Sequence, residues 1–141
     1  MEALLDTNVL LDVALGRNPY VEHSLPVLRW AEKHPFRSAL SCHCLDTVHY
    51  VLSKSSAPGE SESRGFLRFL LGFLEVVPLD RDDFLFAVDH RSMNDLEDSI
   101  VEQAAFKAHA RQIITHNTKD FRRSRIKAVS PRAFLENLEH Q

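Results

Sequence analysis

The sequence predicts an α/β protein, a three-layer α/β/α sandwich built on a central parallel sheet. Three observations lead there. Five short runs have the length and apolar or alternating pattern of strands: "ALL" (3–5), "FRSALS" (36–41), "EVVPL" (75–79), "QIITH" (112–116) and "IKAVS" (126–130). Segments of helical periodicity separate them. The 141 residues, 44% hydrophobic, are enough for one domain spanning 1–141 with its own core, so neither a disulfide nor a metal is needed merely to fold.

Taken in order, residues 3–5 form a buried strand that ends at Asp6. "NVLLDVAL" (8–15) is a helix, stopped by Gly16 and the Asn18-Pro19 turn signal. Residues 20–33 place Val21, Leu25, Leu28 and Ala31 at helical spacing, with Pro26 expected to bend that helix or delay its start. "CLDTVHYVLSK" (44–54) presents Leu45, Val48 and Leu52 on one face. "SSAPGES" (55–61) is a loop inside the domain. Residues 62–74 make an apolar helix with Phe66, Phe69, Leu70 and Phe73, and residues 81–90 another. "DLEDSIVEQAAFKAHA" (95–110) is the strongest helix in the chain. The last helix, 131–139, has proline at its first position.

Composition excludes several functions. Cys42 and Cys44 are too close for an ordinary structural bridge, which fits a reducing, cytoplasmic setting. "FLRFLLGFL" is broken by Arg68 and far shorter than the ~20 residues a bilayer requires, so no membrane role is expected. The Cys42, His43, Cys44, His49 group lacks zinc-ligand spacing, and its residues read as small buried cysteines and exposed histidines. His109 and His116 read as surface residues. Neither a Ser/His/Asp order nor a glycine-rich phosphate loop is present. The net charge of −3 hides an asymmetry. Asp80–Glu102 holds eight acids and two arginines, whereas Lys107–Arg132 holds eight basic residues and one acid, Asp120. An acidic tract followed by a basic one suits a cation site beside a phosphate-binding rim, or two solvated faces of opposite sign.

Ligands of parallel α/β sheets sit outside the carboxyl ends of the strands. Asp6 ends the first strand, and Asp120 follows "QIITH" after a short turn, so a parallel sheet carries both to one edge. Asp98, in the first turn of the 95–110 helix, can reach that edge because the loop "HRSMN" precedes the helix. Converging carboxylates repel unless a divalent cation joins them. Mg²⁺ and Mn²⁺ take such oxygen ligands and support phosphodiester hydrolysis. Helix capping competes as an explanation. Asp6 can cap the helix near Val9, and Asp95 with Asp98 can form a capping box.

The ordered set "LLDTNVLLD", "DLEDSIVEQAA" and "IITHNTKDF", followed by "AVSPRAFLE", resembles the PIN-domain ribonucleases, most closely small bacterial VapC-like toxins. The resemblance covers residues 3 to about 136. It implies an Mg²⁺- or Mn²⁺-dependent endoribonuclease acting on RNA, a homodimer, and an antitoxin partner. It implies metal-ligand roles for Asp6 and Asp98 and a supporting or ligand role for Asp120, with Asp95 binding metal through water. Asn8, Thr115 and Asn117 would position the acids or a water. The tract 119–127 would then grip phosphates through Lys119, Arg122, Arg123 and Arg125. One position departs from the family. Where its members usually carry an acid in the helix after the second strand, Thr47 stands. The neighbouring acid, Asp46, points about 100° away on a helix. A catalytically weak module that binds RNA or protein is therefore the alternative reading. A small-molecule-binding domain would instead put apolar groups at the carboxyl edge.

Overall fold

The computed structural model describes residues 1–54, 59–90, 93 and 95–140. The elements are β1 (Ala3–Leu5), α1 (Thr7–Leu15), α2 (Val21–Lys33), β2 (Ser38–Ser41), α3 (Cys42–Lys54), α4 (Gly59–Leu71), β3 (Glu75–Val77), α5 (Arg81–Asp89), α6 (Leu96–Lys107), β4 (Ile113–Ile114), a 3₁₀ turn (Thr118–Phe121), β5 (Ala128–Val129) and α7 (Pro131–Glu139). The strands form one parallel sheet in the order β3-β2-β1-β4-β5. Strand alternation divides the core between its two faces. Ala3, Leu5, Leu40 and Ile114 pack under α1–α4 and α7. Leu4, Ala39, Val77 and Ile113 pack under α6, which carries α5 on its side. The expected α/β/α sandwich is the fold found.

Several local expectations change. α3 begins at Cys42, directly after β2 and without a loop. Pro26 neither delays nor ends α2. It lies on the solvent side, where water can satisfy the carbonyl its missing N–H would have bonded. The inward face of α2 is Ser24, Val27, Leu28 and Ala31, whereas Leu25 is 38% exposed. Ser24 displaces Leu25 because its hydroxyl donates to the buried Asp12 carboxylate at 3.2 Å. On α4 only Leu70 and, just beyond the helix, Phe73 of the four expected apolar residues are buried. Phe69 faces solvent. Of the 55–61 loop, residues 59–61 are already helical and 55–58 lie outside the described residues, as does most of "HRSMN". β4 and β5 shrink to two paired residues each. Gly16 ends α1 in the left-handed region at φ 60°, where its N–H closes onto the helix carbonyls. Among the described residues no helix is long and apolar enough to cross a membrane.

Candidate active site

The carboxyl edge of β1 and β4 carries the candidate site. Because β1 pairs with β4, the residues that follow the two strands meet: Asp6 N–H donates to the Ile114 carbonyl at 2.9 Å. Asp6 is only 6% exposed. Its Oδ1 accepts from Thr7 N–H at 2.8 Å, so Asp6 does cap α1. Its Oδ2 accepts from Thr115 Oγ1 at 2.8 Å and from Asn8 Nδ2 at 3.2 Å. Thr115 Oγ1 in turn accepts from Asn8 Nδ2 and from Asn117 N–H, both at 3.1 Å. Asn8 Oδ1 accepts from His116 N–H at 3.3 Å. The Thr115 hydroxyl is thus fixed as a donor to Asp6, because two donors occupy its lone pairs. Asn117 joins through its backbone.

Asp98, in the first turn of α6, lies within reach of the charges of Asp6 and Asp120. Burial, followed by the charges of Asp6, Asp95, Asp120 and Glu97, pushes its carboxyl up to about 7. Burial also raises the Asp6 carboxyl, against the lowering hydrogen bonds from Thr115 and Thr7, and Asp120 adds to the rise. No lysine or arginine pairs with Asp6, Asp98 or Asp120 among the described residues. Asp95 is the N-cap of α6, accepting from Glu97 N–H at 2.7 Å, and acts on Asp98 through its charge. The reciprocal Asp95–Asp98 capping box is absent from the cap's hydrogen bonds. The result is an acidic cluster with no lysine or arginine partner among the described residues, opposed by the charge of His116 on Asp6.

Other expected residues lie elsewhere. Asp46 is exposed and is not among the groups that shift Asp6 or Asp98. Thr47 donates to the His43 carbonyl one turn back at 3.3 Å. The α3 residue facing the site is Cys44. Its Sγ lies 3.1 Å from the Thr7 hydroxyl, and burial, with Asp6 and Glu97 nearby, pushes the thiol up to about 12. A protonated thiol is a weak donor and a poor substitute for a carboxylate. Lys119, Arg122 and Arg123 are exposed around the 3₁₀ turn. Arg125 is committed inward: its backbone N–H and Nε donate to the buried Glu102 carboxylate at 2.8 and 3.2 Å.

Sequence reasoning missed two contributors. Glu97 sits near the acids, where burial and the charges of Asp6 and Asp95 raise its carboxyl. His116 is not a surface residue as expected: Nδ1 lies 2.8 Å from the fully buried Asp12 carboxylate, and the ring stacks on Tyr20 at 4.1 Å. The available signal was Asp12 itself, an acid inside the apolar run "NVLLDVAL", which requires a partner when buried.

The donor set suits a hard cation held by few protein ligands. Among the described residues no three His, Cys, Asp or Glu side chains are grouped tightly enough to cage a metal alone. Mg²⁺ needs no such cage, because it keeps several waters and takes one or two carboxylates. The zinc alternative at Cys42–His49 has no cluster to support it among those residues. Thr115→Val keeps the shape but removes the hydroxyl, leaving Asn117 N–H and Asn8 Nδ2 short of an acceptor. Urea unfolding should show a loss of about 1–3 kcal/mol; unchanged stability would mean that water replaces the hydroxyl.

A family model described as a PIN domain matches residues 2–119. No curated protein sequence matches the chain significantly. Among solved structures, a chain of a toxin–antitoxin complex from Klebsiella pneumoniae is 26% identical, with TM-score 0.69, over 92% of this chain and 98% of that one. VapBC2 from Rickettsia felis, bound to a promoter DNA fragment, shares 20% identity and TM-score 0.69 over the same shares. VapC20 of Mycobacterium tuberculosis, a sarcin–ricin-loop-cleaving toxin, shares 15% identity at TM-score 0.63, over 79% of this chain and 87% of that chain. The sheet order, the aspartate closing β1 and the match across residues 2–119 agree, and the chain belongs to the PIN-domain family.

Proposed function

We propose that residues 1–141 act as one divalent-metal-dependent endoribonuclease domain, the toxin of a toxin–antitoxin pair. The observation that carries this reading is the cluster itself: a buried Asp6 whose charge, with that of Asp120, acts on Asp98, and no lysine or arginine paired to any of the three among the described residues. Such a cluster costs free energy without a cation and is suited to holding one. Asp6 and Asp98 would hold Mg²⁺ or Mn²⁺, with Asp95 and Asp120 acting through water. The ion would neutralise phosphoryl charge and lower the pKa of a water. Thr115 and Asn8 hold the Asp6 carboxylate in one orientation, and the Asn117 backbone holds Thr115. Hydrolysis joins a water oxygen to phosphorus and breaks the P–O3′ bond, giving 5′-phosphate and 3′-hydroxyl ends.

Partners follow from the relatives and the surface. The similar structures from Klebsiella pneumoniae and Rickettsia felis are toxin–antitoxin assemblies, which supports an antitoxin partner here. Exposed Phe69 and Leu71 on α4 offer apolar contact for it. Exposed Phe84, Leu85 and Val88 on α5 support a homodimer. Two unbridged cysteines support a reducing cytoplasm.

Purified protein should cut RNA in Mn²⁺ and not in EDTA, and Asp6→Asn should lose at least about a hundredfold in rate. Equal cutting by wild type and Asp6→Asn would mark the activity as contamination and end the nuclease reading. Thr47 favours a second reading. With its hydroxyl turned to the His43 carbonyl and Asp46 exposed, α3 supplies no acid, as in a module that binds RNA or a protein without cutting. Tight RNA binding with no cleavage in any divalent metal would select it.

A further inference from the structure

A basic pocket lies on the turn that carries Asp120. A pocket of about 370 Å³ opens between the 3₁₀ turn and β5, lined by Thr118, Lys119, Arg122, Ser124 and Lys127 among others, with no acid in its wall. Outside residues 119–127, every described arginine except Arg68 lies against an acid. Inside that segment, Lys119, Arg122, Arg123 and Lys127 have no acid partner among the described residues. Lys33, Lys54 and Arg68 also lack an acid partner there, but they are scattered, whereas four such cations fall within residues 119–127.

The local geometry explains how one turn serves two sites. A 3₁₀ turn has about three residues per turn, so Lys119 and Arg122 share a face while Asp120 lies about a third of a turn away. Asp120 acts on Asp6 and Asp98 as the two cations face the pocket. Ser124 Oγ accepts from Ile126 N–H at 3.0 Å, which leaves its hydroxyl proton for another acceptor. Three cations and two hydroxyls around one hollow are the donors that phosphate oxygens take.

We propose that this pocket binds a phosphodiester group of single-stranded RNA next to the one placed at the acids, and so sets where the strand lies across the site. The inference rests on the ribonuclease reading for the identity of the strand. It assigns Lys127 to RNA contact, and it assigns Arg125 to none.

The test measures binding of a fluorescein-labelled single-stranded RNA 12-mer to the full chain in EDTA, by anisotropy, between 50 and 200 mM salt. Arg122→Gln/Lys127→Gln should weaken binding on the order of tenfold and lower the slope of log affinity against log salt by about 1.4, from ~0.7 per lost single-strand contact. Lys33→Gln/Arg68→Gln, which removes the same charge outside the pocket, should stay within about twofold of wild type. Circular dichroism melts should coincide, since all four side chains are exposed. Wild-type-like binding by the pocket variant, an equal loss in both variants, or no RNA binding by the wild type would each overturn the proposal. Its failure is distinct from failure of the nuclease reading, because binding is read without metal. Running the recovered probe on a gel reports any metal-independent cutting.

Discussion

Glu102→Ala should destabilise the protein by about 3–5 kcal/mol, the range for removing one partner of a buried ion pair. Glu102 is 0% exposed on α6. Its carboxylate accepts from Arg125 N–H at 2.8 Å and Nε at 3.2 Å, with His90 Nε2 at 3.5 Å. The Arg125 guanidinium lies between the rings of Phe86 and Phe106, 4.4 and 4.2 Å from their centres, and donates to Gln103 at 2.8 Å. Alanine would strand a backbone N–H and a guanidinium against aromatic rings. In thermal melts the loss corresponds to roughly 10 °C or more for a chain of this size. Glu102→Leu/Arg125→Met should recover part of it, because apolar replacement removes both charges, while the Arg125 N–H still lacks its acceptor. If Arg125 instead served RNA, Arg125→Ala would weaken binding and leave the melting temperature alone.

Arg125 also marks where sequence reading stops. Within "KDFRRSRIK" its charge is indistinguishable from that of Arg122 or Arg123, and all three were assigned to phosphate. What separates them is a carboxylate 23 residues earlier, buried on a helix whose periodicity reads as well with Glu102 outside as in. His116 fails in the same way. Its partner Asp12 lies 104 residues away, and no local pattern joins them. The fold was legible because it depends on local signals: strand-length runs, glycine and proline stops, and alternation of strands with helices. The meeting of Asp6 with the residues after β4 follows from parallel order alone. The placement of Asp98 did not follow from it. The sequence permitted that reach, and α6 packing on β1 and β2 supplies it. The bounds of short strands such as β4 came out too long because side-chain alternation continues past the last backbone pairing.

Asp98→Asn should raise the melting temperature of the metal-free protein at pH 8 while lowering Mn²⁺-dependent cleavage more than about a hundredfold. The opposite signs arise from one cause. Burial and four neighbouring carboxylates hold the Asp98 carboxyl near 7 in the folded protein, against about 3.9 in an unfolded chain. Below about pH 4 both states are protonated and Asp98 contributes nothing to the pH dependence. Between about 4 and 7 the folded state keeps a proton that the unfolded state has released, so stability falls as pH rises through that window and levels off above it. Discounted for solvent screening, since the side chain is partly open, the cost at pH 8 is about 2 kcal/mol. The helix dipole opposes this by about 0.3–1 kcal/mol, because an acid in the first turn is favourable there. The net gain for the amide is about 1 kcal/mol, or roughly 2–4 °C, and it should vanish at pH 4. Millimolar Mn²⁺ should raise the melting temperature of the wild type and move the variant far less, since only the wild type offers both carboxylates. A purely capping Asp98 predicts the reverse: Asp98→Asn would melt lower at pH 8, and Mn²⁺ would shift both proteins equally.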